Sequence, residues 1–343
     1  MKKYFFLALM AGVAMCNVSC SSDDDSKSET TTDMIGNIIK GELEEQAAHY
    51  EIAKSEAPKS VTVVEVKKED GSVVKTNPGL TGFSVTEYGN AVIEVDVDGT
   101  KKYCTYDTEL DKTLSVEGKE VFLVKDKGSK VVGNVTILNK KAGARVTRAS
   151  ETVEMIFNLS ISVEINGQMV PLQFDNTAQA QQTIETVVNT VTTQLTNTWK
   201  VEYMKLVISY DDPKKNAYST DEESGNLRPF IQRAIDNGVT LTEKEQEQLK
   251  RTIESIIIDK NNLLVLNYDN AGSDAATWRW VNDTDVNNLA IGITLKDKDM
   301  GNKFIKNNSK IGVELRSGGK VNIILTTRLE EDKCTVSLIL NLK

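Results

Sequence analysis

The order of apolar and polar positions divides the chain into helical and extended stretches. Ile35, Ile38, Ile39, Leu43 and Ala47 recur at three- and four-residue spacing behind Thr32 or Asp33, either of which can cap, and predict a helix over residues 33–53. From Ser60 the period shortens to two, and turn dipeptides separate short β-branched runs, as in an antiparallel meander. Asp70-Gly71 and Asp98-Gly99 suit tight hairpins, because glycine tolerates the positive φ such turns demand. Val153, Met155, Phe157, Leu159, Ile161, Val163 and Ile165 alternate with mostly polar neighbours, which predicts a strand with one buried face. Asn166-Gly167 then turns the chain back into Val170, Leu172 and Phe174.

Residues 177–196 return to helical spacing, with Ile184, Val187, Val188, Val191 and Leu195 on one stripe. A strand follows over Trp199–Tyr210, and two helices are expected in the polar stretch 211–260. In the second of them Thr242 and Glu245 fit a capping box, and Leu249, Ile253, Ile256 and Ile257 form the buried face. The remainder is extended: Leu289, Ile291, Ile293 and Leu295 share a face, as do Val321, Ile323 and Leu325, then Cys334, Val336, Leu338, Leu340 and Leu342. So apolar a last strand is expected to be paired on both edges, since an open edge would invite aggregation. The predicted fold class is mainly β with accessory helices: an N-terminal helix plus antiparallel β domain over 33–176, and a second antiparallel β domain over 177–343. Each half begins with an amphipathic helix and continues as a meander, but no motif is shared. All three tryptophans lie in the second half, so residue identity does not support a duplication.

Ahead of these elements, Lys2 and Lys3 precede an apolar run, Tyr4 to Ala14, that is too short to span a bilayer and reads as a secretion signal. Ser19-Cys20, followed by Ser21, Ser22, Asp23, Asp24 and Asp25, resembles a bacterial lipoprotein signal, with Asn17 departing from the apolar residue usual there. Cys16 behind Met15 fits that pattern poorly. The serine and acidic run resembles the signal with which Bacteroidetes-type bacteria export lipoproteins to the outer leaflet of the outer membrane. The resemblance implies a signal peptide over 1–19, acylation (palmitate) at Cys20, an acidic tether over 20–32, and a membrane partner reached through the lipid alone. Each buried methylene contributes about 0.8 kcal/mol to such an anchor. The competing reading is an ordinary secretion signal ahead of a polar tail. Residues 21–32 hold no apolar side chain and should stay flexible.

The 343-residue chain carries a formal charge of −9, and loss of Lys2 and Lys3 makes the remainder more acidic still. An acidic body without a concentrated basic patch excludes nucleic acid as the expected partner. Length suffices for two domains, each closing its own core.

In the second half, Thr196-Asn197-Thr198-Trp199-Lys200-Val201 leads from a helix into a strand that opens with tryptophan. This resembles the lipocalin-like domains of Bacteroidetes lipoproteins of unknown function. The glycine usual two residues before the tryptophan is Asn197 here, and residues 211–260 are an insertion. The resemblance covers at most residues 178–343. It implies an up-and-down β-barrel with room for one small ligand, Trp199 packed across one end, and a basic side chain beside it, for which Arg328 is the nearest candidate.

Candidate chemistry is sparse. His49 is the only histidine and no nucleophile motif accompanies it, so no catalytic residue is assigned. Asp283, Asp285 and Asn287, and again Asp297 and Asp299, alternate like a calcium loop, but neither run continues with the glycine and final acid such a loop needs, so no metal or cofactor is expected. Trp278 and Trp280 flank Arg279 and face one side of a strand, either as core or as a platform for a sugar ring; with Tyr268 they are the candidate ligand-binding residues. Cys104 and Cys334 remain beyond the leader, either bridged or simply buried. The expected function is a noncatalytic binding module for a small apolar or glycan ligand. The alternatives are a structural or adhesive surface protein that engages another protein, and a glycan hydrolase built on paired carboxylates.

Overall fold

Period-two alternation dictates nearly every element. A computed structural model describes residues 48–68, 71–138, 151–183, 190–212, 214, 218–222, 226, 228–236, 239–243, 246, 251–270, 272–285, 287–296, 309–330 and 333–343. The first half holds β1 (Ala48–Glu51), a separate ribbon of β2 (Val64–Lys67) and β3 (Val73–Thr76), then β4 (Gly79–Val85), β5 (Asn90–Val97), β6 (Thr100–Leu110), β7 (Lys119–Lys125), β8 (Val131–Leu138), β9 (Glu151–Ile165) and β10 (Gln168–Thr183). Consecutive strands from β4 to β10 pair antiparallel, and β1 bridges β10 to β4, which closes them into a barrel.

The second half begins with a one-and-a-half-turn helix, α1 (Thr190–Leu195), and continues with β11 (Asn197–Tyr210), β12 (Tyr218–Glu222), α2 (Arg228–Asp236), β13 (Ile253–Ile258), β14 (Leu263–Tyr268), β15 (Ser273–Asn282), β16 (Leu289–Leu295), β17 (Lys310–Arg316), β18 (Lys320–Leu329) and β19 (Cys334–Leu342). Here β13 to β19 form an up-and-down series, and β11 pairs with both β13 and β19 to close an eight-stranded antiparallel barrel. The apolar β19 is thus paired along both edges, and closure removes the exposed edge that would template aggregation.

The alternating face of β9 is buried from Val153 to Ile165 and lies against β10 in register from Gln168↔Ile165 to Gln182↔Glu151. Asn166 and Gly167 both take positive φ (51° and 76°), as do Asp98 and Gly99 (50° and 87°), so these two dipeptides make the mirror-image turns whose twist suits a hairpin. Each barrel has its own apolar core. One is centred on Phe83, Phe122, Phe157 and Phe174, the other on Trp199, Trp278, Ile291 and Val336.

Several expected helices are strands. Of the helix expected over 33–53, residues 33–47 lie outside the described residues and Ala48–Glu51 is β1, where Ala48 and Tyr50 point inward. Residues 177–183, expected to begin a helix, complete β10: Ala178, Ala180 and Gln182 are buried at period two against β9, and only Thr190–Leu195 of that stretch is described as helical. The isoleucines at 253, 256 and 257 belong to β13, not to a helix face, because β-branched side chains pack better on a pleated surface. Within 211–260 the described residues include α2 and a turn in which the Gln246 N–H donates to the Thr242 carbonyl.

Candidate functional site

A barrel ordinarily turns polar side chains outward, yet β5 is buried on both faces: Ile93, Val95 and Val97 point into the core, while Val92, Glu94 and Asp96 point outward and are also buried. The second barrel covers Val92 and Glu94, while Asp96 is paired with Lys54 of the first half. Tyr103 of β6 pairs with Ser273 of β15, and Val92 and Tyr103 pack against Ile257, Leu263, Val265 and Ala275. Among the described residues, charged side chains of both barrels meet in four places around this apolar contact, one of them the exposed Lys127–Glu254 pair.

The first is a cavity of about 360 Å³, walled by His49, Glu51, Glu94 and Lys101 from the first barrel and by Asn261, Leu263, Thr277 and Lys296 from the second. Glu94 is its anchor. Its Oε1 accepts hydrogen bonds from Thr81 Oγ1 (2.9 Å) and Lys101 Nζ (2.6 Å), and its Oε2 accepts one from the Tyr103 hydroxyl (2.9 Å). Lys296 Nζ stands 3.7 Å from the same Oε2 and over the Tyr103 ring. Burial alone would raise the Glu94 carboxyl, but the Lys101 hydrogen bond and the charges of Lys296 and Lys101 outweigh it and hold the group below the usual carboxylate range. Lys296 is lowered as well, but for the opposite reason: burial disfavours its charged form, and Glu94 only partly restores it. His49 hydrogen-bonds Ser84 Oγ through Nδ1 (2.8 Å); burial, then the charge of Lys296, lowers its pKa to about 4, so it is neutral at pH 7.

The second place is the junction of the β4–β5 and β13–β14 turns. Glu87 Oε2 pairs with Lys260 Nζ at 2.6 Å, and the Tyr88 hydroxyl donates to Glu87 Oε1. Asp259 lies beside them, 1 % exposed, with Oδ2 lacking a hydrogen-bond partner among the described residues. Burial, aided by the charge of Glu87, pushes it up to about 7 against the hydrogen bond donated by the Asn261 N–H. In the third place Arg251 joins Glu164 of β9 (3.0 Å) to Asp274 of β15 (3.8 Å) and lies over the Tyr268 ring.

The residues singled out from the sequence fall elsewhere. Trp278 is 3 % exposed inside the second barrel, edge-on to Trp280 at 5.8 Å between ring centroids. Their indole N–H groups are spent internally, Trp278 on the Asp259 carbonyl (2.9 Å) and Trp280 on Thr192 Oγ1 of α1 (2.8 Å). Tyr268 is buried and donates to Asp274 Oδ2 (2.9 Å). Trp278 and Tyr268 therefore form core, and the half-buried Trp280 packs against it. Trp199 is buried next to α1, donating to the Leu195 carbonyl (2.8 Å). Arg328 is not beside it: it lies on the outward face of β18, exposed, in a two-point pair with Asp211 and within 3.4 Å of Glu330. Cys20 lies outside the described residues. Cys104 and Cys334 are buried in different barrels and are not joined by a disulfide. Asp285 accepts the Asn287 N–H (3.1 Å) in a local turn, and no metal-holding cluster occurs among the described residues.

Sequence reasoning missed Glu94, Lys101 and Lys296, which no motif links. The available signal was burial on two faces: Ile256-Ile257-Ile258 and Leu263-Leu264-Val265 are continuous apolar runs, which a strand needs only when both its faces are covered.

No family model matches the chain, and no curated protein matches it in sequence. Among solved structures it is similar to a single-residue variant of the vaccine antigen transferrin binding protein B from Haemophilus parasuis, at 8 % identity and a TM-score of 0.21, over 87 % of this chain and 75 % of that one. So remote a likeness carries nothing about a ligand. Fold and cleft together define a mainly β protein of two barrels joined through a charged interface.

Proposed function

We propose that the protein is an outer-membrane lipoprotein, held by a lipid on Cys20 and facing outward, whose joined barrels form a noncatalytic body that binds a small polar ligand in the cleft between them. The observation that carries the reading is the division of surfaces. Both barrel interiors are apolar cores, and the tryptophans of the second are internally hydrogen-bonded, whereas the cleft gathers titratable groups from both halves around unfilled volume. This moves the expected ligand from the inside of the second barrel to its outside. Reading the site as noncatalytic rests on its chemistry: Glu94 is fully engaged and ionised, and the nearby imidazole is tied to Ser84, so no poised acid and base face one another.

Two measurements test this. Metabolic labelling with an alkynyl fatty acid should mark the wild type and not Cys20→Ser, and external protease should remove the labelled protein from intact cells; an unlabelled, released protein overturns the anchor. Thr277→Trp fills the cleft from its wall. It should abolish saturable binding of polar ligands found by a thermal-shift screen of the lipoprotein in detergent, whereas Trp280→Phe should leave that binding intact.

One observation favours a second reading, contact with another protein. The β2–β3 ribbon stands apart from both barrels in the hydrogen-bond pattern and exposes Val73, while Val61 and Val63 beside it are 64 % and 55 % exposed. Loss of cell-surface protein binding on changing these three valines to serine, with cleft ligands unaffected, would support it.

A further inference from the structure

The junction of the β4–β5 and β13–β14 turns buries one carboxyl more than its lysine balances. Glu87, on the turn of residues 86–89, is 2 % exposed; Lys260 Nζ meets its Oε2 at 2.6 Å and the Tyr88 hydroxyl donates to its Oε1. Asp259, on the turn of residues 259–262, is 1 % exposed. Its Oδ1 accepts the Asn261 N–H, and its Oδ2 has no hydrogen-bond partner among the described residues. The charged and titratable groups that face Asp259, among those described, are Glu87 and Tyr88 from the first barrel and Lys260 from its own turn. Tyr88 adds no charge, because burial and then its bond to Glu87 raise its hydroxyl. Trp278 of β15, whose indole N–H meets the Asp259 carbonyl, is neutral. The one ammonium is already paired with Glu87, so an ionised Asp259 would stand beside a like charge in a site that solvates it poorly. A proton on Oδ2 removes both costs.

We propose that these two carboxyls form a one-proton latch between the barrels: with a single proton on the Glu87–Asp259 pair the two turns stay seated together, and loss of that proton parts them and releases Asn261 from the cleft wall. The carboxyls come from opposite barrels, so their repulsion acts across the junction and not within one fold. Asp259 also holds the wall in place. The Asn261 N–H rests on its Oδ1 and the Asn262 N–H on its carbonyl (3.2 Å), Asn261 lines the cleft, and the same turn leads into Leu263 and Val265 of the apolar contact. The direction follows from Asp259, at about 7 with the junction closed against an ordinary 3.8 for a hydrated carboxyl. Closure binds the extra proton, so it weakens as pH climbs from 3.8 to about 7 and levels off above that. His49, on the cleft wall of the first barrel, acts in the opposite sense, because opening returns its pKa from about 4 toward 6.5. The latch stands whether or not the cleft holds a ligand; only its consequence for binding rests on that reading.

Hydrogen exchange of the full-length protein, read by mass spectrometry from pH 5 to 8 and corrected for the intrinsic pH dependence of amide exchange, tests the latch. Wild type is compared with Asp259→Asn, so that the His49 contribution cancels. Peptides covering the turns 86–89 and 259–262 should exchange faster than the core strands of either barrel, through a partial opening. Wild-type protection there, divided by that of Asp259→Asn, should fall about tenfold or more between pH 5 and 7 and stay level above. Glu87→Gln leaves Lys260 to pair with Asp259 and should remove most of that fall. Infrared difference spectra of the wild type should show one buried carboxylic acid losing its proton near pH 7, a reading that stands even if a variant fails to fold. A ratio that does not change with pH, turn amides that exchange no faster than the core strands, an undiminished fall in Glu87→Gln, or no carboxylic acid titrating near pH 7 overturns the latch. A cleft that binds nothing while the ratio falls as expected would leave the latch standing and remove the ligand reading.

Discussion

Asp259 and His49 are displaced from their ordinary ionisation in opposite directions, and the signs matter for stability. Asp259, held near pH 7 when folded and near 3.8 when unfolded, takes up a proton preferentially in the folded state, so its contribution is complete below pH 4 and is lost as pH rises through 7. His49, near 4 when folded and 6.5 when unfolded, contributes fully above pH 6.5, and that contribution is lost as pH falls toward 4. Between pH 5 and 7 the two slopes oppose each other, and each amounts to roughly 2 kcal/mol by pH 5. The wild type should therefore show a nearly level melting temperature over this range. Asp259→Asn, which keeps the turn-forming side-chain oxygen, should be more stable than wild type at pH 8 and lose stability on acidification. His49→Gln should gain stability on acidification. Calorimetric scans of the three proteins from pH 5 to 8 check the prediction, and parallel profiles would contradict both assignments.

At the scale of elements, closure of each barrel depends on a short or tightly approached strand. Gly133 of β8 takes a φ of +149°, and a Cβ there would stand 2.0 Å from the Asn158 carbonyl oxygen of β9. Gly133→Ala must therefore force β8 and β9 apart, at a cost of about 3 kcal/mol or more, read as a shift of the urea midpoint. Trp278→Ala should cost a similar amount, about 3–5 kcal/mol, by emptying the core of the second barrel without touching the cleft. The same positions show why strands were legible and some helices were not. A strand such as β9 writes its partner's side in every second residue, so alternation alone located Val153 to Ile165 and the turn at Asn166-Gly167. The stretch from Thr177 to Thr183 is Ala, Gln and Thr, in which Ala and Gln lean toward helix, and pairing with β9 overrode that preference. Ala48 and Tyr50 were likewise assigned by the need to bridge β10 and β4, a contact more than thirty residues away in sequence. The cleft was invisible for the same reason in stronger form: Glu94, Lys101 and Lys296 read as ordinary surface charges until the second barrel covers them.

The whole molecule is held together by those covered charges, and this determines how it unfolds. The apolar part of the junction is small, built around Val92, Tyr103, Ile257, Leu263, Val265 and Ala275, so hydrophobic burial alone would leave the barrels able to melt separately. What couples them is the set of groups that each barrel would leave unpaired on separation. Glu87, 2 % exposed, depends on Lys260 across the junction; Glu164 depends on Arg251; and Lys296 approaches Glu94. Removing one partner of a buried pair strands a charge in a medium that solvates it poorly, which costs about 3–5 kcal/mol, far more than the net gain of forming the pair. The wild type is therefore expected to unfold in one transition, with calorimetric and van't Hoff enthalpies in agreement. Lys260→Met strands Glu87 on the first barrel, and the least costly way to rehydrate that carboxylate is to part the barrels while each keeps its own closed ring of hydrogen bonds. Its thermogram should split in two, whereas Glu87→Gln combined with Lys260→Met, which removes both charges, should restore a single transition. If Lys260→Met still melts in one step at a lower temperature, the ionic junction does not couple the barrels, and the apolar contact must suffice.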